Sequence, residues 1–168
     1  KDDFNDAVYF KTDGSQRDWK CNLRHLMDGF KLLDTDTNHF YYGEKFKFRM
    51  DWHSTTDTDR IKMKVVIFGS DAEGIGVIYA GDLNYSVGNN QNEFIFDTKF
   101  LMPGQYALHF KLYDEDYEGN AEYYDQCIGI RFTIEHSENN NHLKHWFKDW
   151  GNAVLPCIEQ INGDDKNV

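Results

Sequence analysis

The sequence predicts an all-β sandwich with one short C-terminal helix. Three observations predict it. Apolar and polar residues alternate with a period of two along most of the chain, turn-forming clusters cut that alternation into short runs, and a Pro-Gly-x-Tyr element opens one of the runs. A period of two buries one face of a segment and wets the other, the condition of a half-buried strand.

Taken in order, the first twenty residues carry one strand-like run, AVYFKT, and no further pattern. A strand is expected within LRHLMDGFKLLD, Leu23 to Asp34. In GEKFKFRMDWHS, Phe46, Phe48, Met50 and Trp52 alternate with Lys45, Lys47, Arg49 and Asp51. RIKMKVVIFG repeats the pattern, with Ile61, Met63, Val65 and Ile67 against Arg60, Lys62 and Lys64. GIGVIYAGDL, Gly74 to Leu83, is apolar with interspersed glycines, and NEFIFDTKF puts Phe94 and Phe96 on one face. QYALHFKLY turns Tyr106, Leu108, Phe110 and Leu112 inward, and Ala107, His109, Lys111 and Tyr113 outward. CIGIRFTIE sets Ile128, Ile130, Phe132 and Ile134 opposite Gly129, Arg131 and Thr133.

SDAEG (70–74) and GNNQN (88–92) are turn clusters between these runs, and Met102-Pro103-Gly104 suits a type II turn. About seven short strands separated this way fit a sandwich. Tyr106, just after a turn and opening a strand, stands where sandwiches place a tyrosine corner. In NHLKHWFKDWG, Leu143, Trp146, Phe147 and Trp150 follow helical spacing, with Asn141 as cap and Gly151 as stop. AVLPCIEQI is short, apolar and extended, and residues 162–168 read as a flexible tail.

The 168 residues suffice for a single domain, and no internal repeat divides them. A net charge of −11 repels phosphate backbones and anionic lipid, so nucleic acid is excluded as a partner. Three cysteines without a CxxC pair point away from a disulfide framework and toward a reducing compartment. No apolar run is long enough to span a bilayer. The chain opens on Lys1 and not Met, which reads as a piece of a longer protein.

The sequence holds no phosphate loop, no GxSxG elbow and no HExxH, and Cys21, Cys127 and Cys157 lie in no activating context. No catalytic residues and no cofactor are therefore assigned. His142 and His145, three apart on the expected helix with His136 nearby, lack a completing ligand and read as solvated. DEDYEGNAEYYD, Asp114 to Asp125, has nearly the spacing of an EF-hand loop. Strand-like runs flank it, though, and Asp125 stands where a bidentate Glu is needed. We read it as a hairpin loop turning at Gly119-Asn120, with no metal assigned.

The outward rows carry the binding chemistry. Lys45, Lys47 and Arg49 line one strand and Arg60, Lys62 and Lys64 the next, and a sandwich can set the two rows on different sheets. His109, Lys111, Tyr113 and Arg131 project from two strands expected to be hairpin partners, with Lys62 and Lys64 alongside. Tyr123 and Tyr124 sit at the end of the same sheet. Rings that pack on C–H faces, interleaved with donors that fix hydroxyls, are what a sugar site needs.

Five blocks, in order, carry a resemblance: FKLLDTDTNHFYYGEKFKFRMDW, VVIFGSDAEGIGVIYAGDL, FIFDTKFLMPGQYALHFKLYD, YYDQCIGIRFTIE and GNAVLP. From about Phe30 to Pro156 the chain resembles the C-terminal carbohydrate-binding domain of Wzt-type ATP-binding proteins, which belong to polysaccharide (O-antigen) ABC exporters. It departs from that pattern in two places: Cys157-Ile158-Glu159 replaces a basic residue and a Trp, and Leu143 to Trp150 is an insertion. The resemblance implies an immunoglobulin-like antiparallel sandwich that binds a lipopolysaccharide O-antigen-like glycan without catalysis, in the cytoplasm at the inner face of the bacterial inner membrane. It also implies a homodimer that exchanges its C-terminal segment, an N-terminal ATPase domain and a membrane transporter subunit. Two other functions compete with it: a structural sandwich dimerising through Trp146, Phe147, Trp150 and the final AVLPCI segment, and a small glycan hydrolase with a carboxylate pair.

Overall fold

The computed structural model describes residues 7–12, 17, 21–136, 151 and 153. Nine strands are found among them: β1 (Tyr9–Lys11), β2 (His25–Leu33), β3 (His39–Tyr41), β4 (Lys45–Ser54), β5 (Lys62–Gly69), β6 (Gly74–Asp82), β7 (Gly88–Asp97), β8 (Gly104–Glu115) and β9 (Ala121–Glu135). One sheet runs β1-β2-β4-β7 and the other β3-β9-β8-β5-β6. The chain passes from β4 in the first sheet to β5 and β6 in the second, returns for β7, and crosses again for β8 and β9. Such crossing makes an immunoglobulin-like sandwich. It also puts the two basic rows, on β4 and β5, in different sheets. All pairings are antiparallel except β3 with β9, which is parallel, a departure from the all-antiparallel expectation. The expected helix around Leu143 to Trp150 lies outside the described residues, as do His142 and His145.

The alternation in β4 and β5 works as read: Phe46, Phe48, Met50 and Trp52 meet Met63, Val65 and Ile67 in one core. Phe30 of β2 stacks on Phe110 of β8, centroids 4.1 Å apart, which locks the two sheets together. That stack explains Gly129. A Cβ there would lie 2.6 Å from Phe30 and 2.8 Å from Phe110, too close for any other residue.

Tyr106 forms the expected tyrosine corner, its buried hydroxyl donating to the Met102 carbonyl four residues back. Gly104 sits at φ 157°, far from the value near +80° that a type II turn needs, so the bend before Tyr106 is of another kind. The β8–β9 hairpin also turns elsewhere than at Gly119-Asn120. Gly119 N–H donates to Asp116 O at 3.1 Å, which centres the turn on Tyr117-Glu118 and leaves Gly119 at φ 84° as the left-handed residue that follows.

The acids of Asp114–Asp125 do not converge on one point. Asp116 Oδ1 accepts the backbone N–H groups of Glu118 and Asn120, both at 2.9 Å, and so closes the turn. Asp114 faces Arg60 at 3.7 Å. Asp125 is wholly buried, accepting Met27 N–H at 2.8 Å, Gln126 N–H at 2.9 Å and Arg17 Nε–H at 3.0 Å. Burial pushes its carboxyl above the ordinary value, against the pull of those donors.

Candidate functional site

The outer face of the five-stranded sheet gathers most of the expected site residues into cross-strand rows. Directly opposite residues of an antiparallel pair share a face, so register alone defines the rows. One row runs Tyr123–Tyr113–Lys62–Asp82. The next runs Gln126–Lys111–Lys64–Tyr79, and a third Ile128–His109–Val66–Val77. Arg131 faces Ala107, which faces Phe68.

A bulge in β9 shifts this arrangement away from simple alternation. The register slips between Ala107 and His109, so that Ile128 joins the outer face instead of the core expected for it. Arg131 is thereby set beyond the His109 row and away from Lys111. A second slip, between Leu112 and Tyr113, changes the parity near Tyr124. Tyr124 turns inward, 2% exposed, with its ring 4.8 Å from that of His25. It does not belong to the face. Burial pushes its phenol up to about 12.

The centre of the face is an aromatic–cation cluster. Lys64 Nζ lies 4.3 Å from the Tyr113 ring centroid and 4.9 Å from that of Tyr123, and donates to the Tyr123 hydroxyl at 2.8 Å. Lys111 Nζ donates to Gln126 Oε1 at 2.7 Å and stands 5.6 Å from the Tyr123 centroid. Tyr113 is on the face but beneath it, only 2% exposed, so it supports Lys64 and offers no ring surface of its own. Burial raises its phenol, with Glu115 adding to the effect. Lys62 is held by Glu115 at 2.7 Å, and that hydrogen bond keeps the Glu115 carboxyl below its ordinary value. His109 lies 5.9 Å from the Phe68 ring.

Tyr79 is the ring that sequence reasoning missed. It stands opposite Lys64 and is 66% exposed, the most accessible aromatic in these rows. Its strand shows no alternation, because an edge strand with both faces wet has no burial to encode. The signal available was its place in GIGVIYAGDL, one strand over from the Lys62–Lys64 row.

A second polar cluster closes one end of the sandwich. His25 Nδ1 lies 2.6 Å from Ser54 Oγ and Nε2 lies 2.7 Å from Asp59 Oδ2. Composition suggests a catalytic triad, but both His25 and Ser54 are buried and the rings of Trp52, Tyr85 and Tyr124 surround the imidazole. A nucleophile must reach a substrate carbonyl; this serine cannot. Arg24 clamps Asp59 at 3.1 Å and Tyr85 Oη–H donates to the Asp59 carbonyl at 2.7 Å, which makes the cluster a structural cap. Among the described residues no group of three or more His, Cys, Asp or Glu side chains could hold a metal, and no helix is long and apolar enough to cross a membrane.

Fold and face together define an immunoglobulin-like sandwich with a cation- and tyrosine-lined outer sheet. No family model and no curated protein matches the sequence. Among solved structures the chain is similar to the C-terminal domain of Wzt, with a TM-score of 0.65 and 13% identity over 89% of this chain and 90% of that one. Likeness at that identity establishes a shared fold.

Proposed function

We propose that this chain is a non-catalytic glycan-binding domain of the Wzt type, which recognises an O-antigen-like polysaccharide for ABC-transporter export. One observation carries the reading: the row Gln126–Lys111–Lys64–Tyr79, in which lysine donors stand beside an exposed ring on the outer face of the sheet. The fold shared with the C-terminal domain of Wzt and the ordered sequence blocks support it. The reading brings with it a cytoplasmic site at the inner membrane, an N-terminal ATPase domain, a transporter subunit, and a homodimer made by exchange of the C-terminal segment.

Lys111, Lys64, Tyr123, His109 and Tyr79 form the proposed site, with Arg131 and Lys62 at its margins and Tyr113 as support. Glycan-array and calorimetric binding with polysaccharide from the source test it. Tyr79→Ala is expected to weaken binding about tenfold, the loss of one ring–sugar contact, without lowering the melting temperature. Unchanged affinity in that variant and in Lys111→Ala would remove the face from consideration.

A further inference from the structure

We infer, resting on the glycan-binding reading above, that the ligand of this face carries an acidic group, a carboxylate or a phosphate, seated between Lys64 and Lys111. The two lysines are direct cross-strand partners on the outer face. Like charges placed opposite each other across a ladder repel and destabilise the pair. A neighbouring carboxylate would relieve this, and the chain is rich in them, with 29 acids against 18 bases.

Adjacent cations do have such relief. Lys62 pairs with Glu115 at 2.7 Å, and Arg60 faces both Asp82 and Asp114 at 3.7 Å. Among the described residues, Lys64 and Lys111 make no ion pair; their hydrogen bonds go to neutral acceptors, the Tyr123 hydroxyl and Gln126 Oε1. Glu115 senses Lys64 as well, but its hydrogen bond goes to Lys62 in the next row. Each ammonium has three donors, so both keep donors beyond the bond described. The Tyr113 and Tyr123 rings hold the Lys64 ammonium in place without neutralising it. Two neighbouring ammonium groups with no carboxylate hydrogen-bonded to either, in a protein of net charge −11, make a seat for an anion. Tyr79, beside Lys64, offers a ring to the sugar that bears it.

The test uses the whole chain with sodium phosphate, glucuronate, and an array of neutral and acidic glycans. Both free anions are expected to give saturable NMR shifts at Lys64, Lys111, Tyr123 and Tyr79. Acidic glycans should lose about tenfold in affinity for each of Lys64→Gln and Lys111→Gln, and keep it when both positions are arginine. Circular dichroism checks folding, and the arginine pair still tests the charge if a glutamine variant misfolds. Should neutral glycans bind and ignore both glutamine substitutions, the acidic seat falls while the glycan reading stands. Should the free anions bind at these residues and no glycan bind, the seat stands and the glycan reading falls. Absence of saturable shifts with either anion, or wild-type anion binding in the glutamine variants, overturns the acidic seat.

Discussion

Tyr106 keeps its ring in the core and commits its hydroxyl to the Met102 carbonyl. Burial pushes that phenol from its ordinary 10.0 up to about 12. A group whose folded value lies above its unfolded one stabilises the fold fully below the unfolded value and loses that contribution as pH climbs through the folded one. The fold should therefore weaken between pH 10 and 12, with Tyr124 acting in the same direction. Tyr106→Phe is expected to cost about 1–2 kcal/mol at pH 7, because a buried carbonyl loses its donor. The same variant should show a shallower alkaline decline. Urea titrations at neutral pH and across the alkaline range check both; an unchanged decline would mean that the hydroxyl titrates exposed.

At the scale of the element, β6 stands out. It is an edge strand with Val77 46% and Ile78 42% exposed, and it has no charged residue between Glu73 and Asp82. Edge strands usually carry charge, proline or cover against further pairing. An antiparallel match with a second copy centred on Ile78 would set Val77 against the Tyr79 ring and Ile75 against Gly81, which leaves room for it. Sedimentation is expected to show concentration-dependent association beyond the proposed C-terminal-exchange dimer, which Val77→Lys abolishes; no association beyond that dimer at any concentration would contradict self-pairing through β6. The same strand shows where the sequence was hard to read. β4, β5 and β8 declared themselves because one face is buried and the other wet. β3, only three residues long, takes its conformation from pairing with β9 and leaves no periodic trace. The site divided along the same line: Lys62, Lys64, His109 and Lys111 follow from alternation alone. Ile128 and Tyr124 did not, since each bulge in the β8–β9 pairing changes which side a residue faces.

At the scale of the molecule, Arg17 reaches across 108 positions to bind Asp125, and also donates to Met27 O and to Thr12 Oγ1. Because burial holds the folded Asp125 above its unfolded value, the carboxyl favours folding below about pH 4 and that advantage is lost as pH rises. Without Arg17 the folded value climbs further. Arg17→Met should therefore cost about 3 kcal/mol at pH 7 and distinctly less at about pH 3, below the ordinary carboxyl value of 3.8, where the carboxyl is largely protonated in both states. Chemical denaturation at the two pH values checks this; an equal loss at both would assign Arg17 a packing role alone.

The pairing of β3 with β9 has a consequence in time. Asn38 Nδ2 donates to the Arg131 carbonyl across 93 positions, and His39 meets Glu135 across 96. Closing such separations is slow, because the entropy of a long loop is lost before any contact rewards it. On a ribosome, β3 emerges early and has no sheet to join until the end of β9 follows it out. Folding of this domain waits on its last long strand: a nascent chain halted before β9 would hold every strand of the four-stranded sheet and an unfinished five-stranded one.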